Sequence, residues 1–350
     1  MDTLTHALSG ALIARATAPR DLPARALPRR VAAGFFACAA PDLDFVAGFF
    51  GPVEYVLHHR GATHSLLMLP LWAIPVSWVL AKLLREPEGK TAGWRALYGV
   101  CALAIGTHIA GDWITSYGTM LLAPLSDRRF GIGTTFIIDP WFSGIIVAGL
   151  LSSIFFRKTR IPSVAASIAL CAYVGFQYLQ KEKALDFARD YAVRHGLANA
   201  SISAQPRAVS PFNWTVFVSD EREHRFAHVN LVRNAPRPYT PGDGFVARLD
   251  SAFQPLATAR WETRSRTGED PLGREAWESP PLAFFRWFAE RPAFDGRTEH
   301  PTCFWFLDLR FLNPGRDWVP FRFGVCREDS RSGPGSPTGA RMSAATRRRP

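Results

Sequence analysis

The sequence predicts a mainly α-helical membrane domain, with about five spanning helices and a short N-terminal half-helix, followed by a small soluble α+β domain. Of the 350 residues 47% are hydrophobic, but the apolar runs crowd into residues 31–180, whereas residues 181–350 carry most of the charge. Beyond the last apolar run, apolar and polar residues alternate as they do in half-buried strands. The expected segments are a membrane domain over 1–180, a connecting helix over 181–198, a soluble domain over 199–326 and a disordered tail over 327–350.

Five apolar segments predict the spanning helices, because each is close to the ~20 residues with which a helix crosses ~30 Å of hydrocarbon. They are Val31–Phe50, Leu66–Leu84, part of Ala96–Leu122, Thr134–Phe156 and Ile161–Leu179. Soluble folds seldom contain five such segments in a row, so helices in a soluble core are the weaker interpretation. Ahead of them, Leu4–Ala14 is long enough for only about half a bilayer. We expect it to be a half-helix buried among the others, and Asp2 in place of a basic start argues against a signal peptide.

Basic residues predict how these helices are oriented. The loops expected in the cytoplasm are 15–30, 82–95 and 157–160, and those on the other side are 51–65 and 118–136. The first group holds 12 Lys and Arg residues, whereas the second holds only Arg60, Arg128 and Arg129. Because basic loops remain in the cytoplasm, we expect a multi-pass protein of the bacterial inner membrane with a periplasmic C-terminal domain. The net charge of +11 then needs no nucleic-acid partner.

The soluble domain has four recognisable strands and one short helix. The predicted strands are Trp214–Val218, Phe226–Val232, Phe304–Phe311 and Phe321–Val325, and the predicted helix is Leu282–Glu290. Cys303 and Cys326 would form a disulfide if this domain is periplasmic, and two buried thiols are the alternative.

Ionisable residues with the chemistry of metal ligands lie inside or beside the apolar segments. His108 and Asp112 are four residues apart, so a helix presents both on one face. A charged side chain near the centre of a membrane helix costs roughly 2.5–3.5 kcal/mol, and a bound cation would offset that cost. The expected ligands are His6, Asp42, His59, His64, His108 and Asp112, with Asp44 as a partner of the ligands or of a second ion. Nitrogen and oxygen ligands without thiolate favour one or two divalent ions, Zn first and then Mn or Fe.

Each of these residues also has a simpler interpretation. His108 and Asp112 could form a buried hydrogen bond, the acidic pair around Leu43 could cap a helix, and loop histidines often have no role. Arg128 and Arg129 would suit an anionic substrate such as a phosphoester, or they are ordinary loop charges or contacts to lipid headgroups. Asp139 is expected to cap a helix.

In their order along residues 1–180, the segments MDTLTHALSG, PDLDF, HRGATHS, HIAGDWITSYGT, PLSDRRFGI and FIIDPW resemble the YdjM-like family of bacterial inner-membrane proteins. That family is named as LexA-regulated, metal-dependent hydrolases, so the resemblance implies a membrane-embedded metal-dependent hydrolase. The order of His and Asp residues is also similar, more distantly, to the zinc-dependent phospholipase C and P1 nuclease group. The chain departs from that group after Asp112, because it has no later HxxxE and no further His before His195. A mononuclear or binuclear site is therefore expected rather than a trinuclear one.

Three functions are compatible with these residues. The first is hydrolysis of an ester or phosphoester on a small-molecule or lipid-linked substrate by a metal-activated water, with Asp44 or Asp112 as the general base. The second is a non-catalytic metal-binding scaffold or regulator. The third is ion or proton transport through intramembrane Asp and His, although the repeated halves typical of transporters are not visible. Membrane lipid is the expected partner in all three.

Overall fold

A computed structural model gives the structure of residues 1–84, 93–316, 319–327 and 342–346. The chain divides into two units, Met1–Gln180 and Lys181–Pro350. The first unit contains the helices α1 (Thr3–Ala16), α2 (Leu27–Ala39), α3 (Pro52–His58), α4 (Leu69–Leu83), α5 (Trp94–Trp113) and α6 (Pro140–Phe155), and it includes the start of α7 (Ile161–Arg194). Two 3₁₀ segments, Ala40–Phe50 and Ala62–His64, lie between them and carry site residues.

Helices α1 and α2 pack against each other through glycine. A Cβ atom added to Gly34 would lie 2.4 Å from the carbonyl oxygen of Gly10 and 2.5 Å from Cβ of Ala14. Such backbone approach is available only where one helix has no side chain, as in the small-residue interfaces of membrane helices. At its start, α1 is capped by Asp2, whose side chain accepts a hydrogen bond from the backbone N–H of Thr5. These contacts fix the position of His6 in the first turns of α1.

The expectation of about five spanning helices is not supported. In the described residues, two helical segments are long and apolar enough to cross a membrane, Ala24–Phe50 and Ile161–Arg194. A third span is counted if Pro52–His64 and Leu69–Leu83 form one broken span, with a bend of 87° between them. Helix α6 has only 16 residues, and α5 carries Arg95, His108 and Asp112 among its 20. An apolar run in the sequence can therefore belong to a helix that packs against other helices as well as to one that crosses a membrane.

The second unit is an α+β domain with two mainly antiparallel sheets. Its strands are β1 (Ser201–Pro206), β2 (Asn213–Ser219), β3 (Glu223–Asn230), β4 (Gln254–Pro255), β5 (Trp261–Ser265), β6 (Pro292–Glu299), β7 (Thr302–Asp308), β8 (Phe323–Arg327) and β9 (Met342–Thr346). The first sheet has the order β1-β2-β3-β4 with β5 beside β3, and the second has the order β6-β7-β8-β9. The short helices are α8 (Phe245–Ser251), α9 (Pro271–Glu278) and α10 (Ala283–Phe288).

Successive residues of β2 point to opposite faces of the first sheet, and both faces are buried. Trp214 and Val216 pack with Ala184 and Ala188 of α7, whereas Phe217 on the other face packs with residues of the second sheet. The four predicted strands and the short helix are confirmed, with ends that differ by a few residues.

Two features lie in the last part of the chain. Cys303 and Cys326, which pair across β7 and β8, form a disulfide. The prediction of a disordered tail over 327–350 is wrong for Met342–Thr346, because this segment pairs with the open edge of β8 as strand β9. The strand is too short to give a periodic pattern in the sequence. Residues 328–341 and 347–350 lie outside the described residues, as do Arg85 and Lys90 of the basic loop 82–95.

Two histidines, the buried His224 and the half-buried His228, make the second unit sensitive to acid. Burial lowers the pKa of His224 to about 4 and that of His228 to about 3, because the charged imidazole loses its hydration. In the unfolded chain both pKa values return to ~6.5. Between pH 6.5 and pH 4 the unfolded state therefore binds more protons, and the stability of the fold decreases as the pH falls.

We expect the unfolding temperature of the purified protein, followed by tryptophan fluorescence, to fall across this pH window. The variant His224→Gln should show a smaller fall, whatever its stability at neutral pH. Identical pH dependence in the variant and the parent protein would contradict this account of His224.

Candidate metal centre

Four side chains from three segments of the first unit converge on one point. Asp42 comes from the 3₁₀ segment Ala40–Phe50, His64 from the segment Ala62–His64, and His108 and Asp112 from α5. One ligand atom of each lies within 4.8 Å of all the others. The side chains of His64, His108 and Asp112 are fully buried, and that of Asp42 is 12% exposed.

The distances between these atoms suit a tetrahedral ion. Nε2 of His64 and Nε2 of His108 are 2.9 Å apart, and Oδ2 of Asp112 lies 3.3 and 3.5 Å from them. Oδ1 of Asp42 lies 3.6 Å from each Nε2 atom. Zinc bonds of about 2.0–2.2 Å place the ligands of a tetrahedron about 3.3–3.6 Å apart. The cluster therefore has nearly the size of a four-coordinate site.

Hydrogen bonds on the far side of each imidazole assign its tautomer. Nδ1 of His108 donates to the backbone carbonyl of Cys38 at 2.6 Å. Nδ1 of His64 lies 2.9 Å from Oγ1 of Thr63, whose hydroxyl in turn donates to Asp44. Each ring therefore directs the lone pair of Nε2 toward the cluster, which is how a metal-binding histidine is usually oriented.

The centre of the cluster is thus lined by acceptors alone. Oδ2 of Asp112 is buried and has no hydrogen-bond partner among the described residues. Two imidazole lone pairs and carboxylate oxygens at these distances repel one another unless a proton or a metal ion lies between them, and an unpaired buried charge is costly. The donor set and its geometry fit a divalent metal ion.

Asp44 lies beside the four residues and not among them. Oδ1 accepts a hydrogen bond from Nδ1 of His59 at 2.7 Å, and Oδ2 accepts from the backbone N–H of Arg60 and from Thr63. With His64 Nδ1 also 3.3 Å away, this carboxylate orients the imidazoles that face the cluster. The structure therefore brings Asp42, and not Asp44, to the candidate ligand position.

Two other predicted ligands lie next to the cluster. His6 donates from Nε2 to Oδ1 of Asp112 at 3.0 Å and stacks on His108 with ring centroids 3.7 Å apart. With Cys38 and His108 it forms a second group of side chains that could hold an ion. His59 contacts Asp44 and Tyr55 and is not one of the four.

Sequence reasoning missed Arg60. Its guanidinium is buried, donates to Thr115 at 2.9 Å and lies 2.8 Å from Oδ1 of Asp112. The amino group of Met1 also donates to this oxygen. The position of Arg60 between two predicted histidine ligands was the available signal. In the sequence alone, however, a single arginine in a loop indicates only a loop charge.

The structure does not bring Arg128 and Arg129 to the cluster. Arg129 donates to the backbone carbonyls of Val56, His59 and Gly118, which hold its guanidinium among loop segments. Arg128 is exposed, with its guanidinium over the ring of Phe130. Asp139 caps α6 by accepting from the backbone N–H groups of the first turn, as expected.

Comparisons with known proteins give a family match and one distant relative. The family model described as "YdjM inner membrane protein" matches residues 1–184. The uncharacterized protein YfhP of Bacillus subtilis (strain 168) is 29% identical over 102 residues, which are 29% of this chain and 30% of that protein. The match thus spans less than a third of the relative's length. No solved structure matches the chain, and the more distant resemblance to the phospholipase C and P1 nuclease group is not supported.

Proposed function

Since the chain belongs to the YdjM inner membrane protein family, whose model covers every candidate ligand, we propose that it is a membrane-bound metal-dependent hydrolase of an ester or phosphoester. The observation that supports the proposal most is the cluster of four acceptor atoms with the dimensions of a tetrahedral site. Zinc suits two imidazoles and two carboxylates best, and Mn or Fe are alternatives. Because Nε2 of His108 faces the cluster and its Nδ1 donates to the carbonyl of Cys38, the group of His6, Cys38 and His108 is an alternative position for the ion, and we propose one bound ion.

A divalent ion bound here would activate a water molecule and polarise the scissile group. Asp42, His64, His108 and Asp112 would hold it. Asp112 would do so through Oδ2, because its other oxygen is engaged by Arg60 and His6.

His59 and Asp44 are the best-placed pair for proton transfer. Because Asp44 accepts the Nδ1 proton of His59, Nε2 of that ring is the nitrogen able to take a proton, as in other carboxylate–imidazole pairs. The His59 ring centroid lies 5.8 Å from that of His64, so the pair adjoins the cluster. We propose His59 as the general base and Asp44 as the residue that orients it, in place of the roles of metal ligand and general base that the sequence predicted for them.

The test compares two adjacent histidines. His59→Gln should lower kcat on a soluble probe, bis(p-nitrophenyl) phosphate, or on p-nitrophenyl esters, by about 10²–10⁴-fold, with the metal content unchanged. His58→Gln is the matched control, because the side chain of His58 is exposed and pairs with the exposed Glu54. Metal bound without turnover of any ester would instead favour the non-catalytic scaffold. Full activity in His59→Gln would rule out its role as the base.

We also propose that the protein crosses the inner membrane several times and that its second unit lies in the periplasm. The two apolar spans support membrane association. The Cys303–Cys326 disulfide suits an oxidising compartment, and the basic loops suit the opposite side.

A fusion of alkaline phosphatase after residue 327 should therefore be active, and a fusion of green fluorescent protein at the same position should be dark. The reverse result would place the second unit in the cytoplasm. Fusions within the basic loop 157–160 serve as the control, for which the opposite pattern is expected.

A further inference from the structure

The entrance to the cluster lies beside Asp42. This is the one candidate ligand whose side chain is exposed, at 12%, whereas the other three are at 0%. Thr3 is exposed at the same place, and its hydroxyl donates to Oδ2 of Asp42 at 2.6 Å. A substrate would therefore approach the cluster past the Thr3–Asp42 pair.

The residues that follow Thr3 and Asp42 along the chain expose apolar side chains. Leu4, which follows Thr3, is 63% exposed, and Leu43, which follows Asp42, is 62% exposed. Further along the 3₁₀ segment, Phe45 and Val46 are 50% and 47% exposed. We call these four residues the apolar rim.

No basic residue interrupts the rim on its own segment. Ala40–Phe50 contains no Lys or Arg, and its two carboxylates are turned toward the histidines. The segment ends one of the two candidate membrane spans, Ala24–Phe50. An entrance used by a water-soluble anion would be expected to carry attracting charges, whereas this segment exposes apolar side chains at the end of a candidate span.

A cation is present deeper in the site. Arg60 is buried beside Asp112, and its Nε has no hydrogen-bond partner among the described residues. A buried guanidinium with a donor still available is suited to a phosphate oxygen. The site thus combines an apolar rim with a buried guanidinium whose Nε–H is available to an anion.

Resting on the proposed function, we infer that the substrate is a membrane amphiphile. It would be a phosphoester attached to one or more long hydrocarbon chains. The chain would lie against Leu4, Leu43 and Val46 while the phosphoester passes Asp42 to reach the cluster. Since a long hydrocarbon chain retains the phosphoester in the membrane, chain length should control how well a substrate is used.

The first experiment measures binding without turnover. A fluorophore is attached to Leu43→Cys in full-length protein carrying Cys171→Ala, because Cys171 is the exposed free thiol of the described residues. The protein is placed in nanodiscs with phosphatidic acid or phosphatidylcholine spin-labelled on the acyl chain. We expect phosphatidic acid to quench at a mole fraction several-fold lower than phosphatidylcholine.

The matched control for binding is Leu151→Cys on α6, which is 52% exposed and distant in sequence from the rim. There the two lipids should quench equally. Equal quenching by both lipids at position 43 as well would overturn the inference.

The second experiment measures turnover with dioleoyl phosphatidic acid, its dibutyryl analogue and soluble bis(p-nitrophenyl) phosphate. The double variant Leu4→Asn/Leu43→Asn should lose about tenfold or more of kcat/KM on the dioleoyl lipid, with little change on the soluble diester. Leu151→Asn should change neither.

The outcomes separate the two proposals. Cleavage of the soluble diester without preference for the long-chain lipid would overturn the inference and leave the hydrolase intact. If no substrate is cleaved, the proposed function fails, and the spin-label comparison alone decides whether the rim binds an anionic amphiphile.

Discussion

Replacing Asp112 by asparagine is expected to remove the metal from the purified protein. Oδ2 of Asp112 is the candidate ligand atom without any other partner among the described residues, and the exchange removes its charge while keeping its shape. We expect the metal-to-protein ratio, measured by plasma mass spectrometry on protein purified in detergent, to fall below about a tenth of the parent value. A fall of that size corresponds to a loss of at least 1.4 kcal/mol in binding.

Two further variants separate loss of a ligand from loss of the fold. Asp139→Asn is the control for a buried carboxylate, because Asp139 is 5% exposed and caps α6. It should keep its metal. Asp112→Asn also leaves the buried Arg60 guanidinium without its charged partner, which is costly, so Arg60→Gln/Asp112→Asn should restore folding and not the metal. A metal content equal to that of the parent in Asp112→Asn would remove Asp112 from the ligand set.

Replacing Gly34 by valine is expected to separate α1 from α2. The added Cβ would lie 2.4 Å from the carbonyl oxygen of Gly10, which is closer than a carbon and an oxygen can approach. Overpacking of this kind costs about 1–3 kcal/mol, and more where backbone must move. Because α1 carries His6 and α2 leads into Asp42, we expect metal affinity to fall together with the thermal stability of the protein in detergent.

Gly99→Val is the matched control for this substitution. Gly99 lies within α5 and a Cβ there meets no atom within 4 Å, so both variants share the cost of a β-branched residue in a helix. The control should keep most of its stability and its metal. Equal behaviour of the two variants would show that the close approach at Gly34 is not needed.

The sequence predicted the kinds of ligand better than their positions. His108 and Asp112 could be placed together because a helix brings residues four apart onto one face. The sequence predicted both His59 and His64 as ligands, because which of the two faces the cluster depends on the turn at Arg60, where φ is 59°. It gave Asp42 as a ligand and Asp44 as its partner without a structural reason, since the 3₁₀ geometry of their segment has no signature in composition.

The number of spans was overestimated for a related reason. A run of apolar residues shows that a helix avoids water, whether it contacts lipid or other helices. The 87° bend between Pro52–His64 and Leu69–Leu83 follows from local turns that hydropathy does not record. In the second unit the alternation of apolar and polar residues was sufficient to predict four strands, because successive side chains of a strand point to opposite faces of the sheet.

The orientation of His108 in the metal centre depends on Pro41, which lies shortly after the last residue of α2. The carbonyl of Cys38, in the last turn of α2, accepts the Nδ1 proton of His108. In a 3₁₀ continuation the N–H of residue 41 would compete for that oxygen, but a proline has no N–H. The main chain therefore supplies the acceptor that orients His108. Another small side chain could replace that of Cys38, and the His108 ring would keep its orientation. In this part of the protein we therefore expect Pro41, which follows the end of α2, to tolerate substitution less well than Cys38 does.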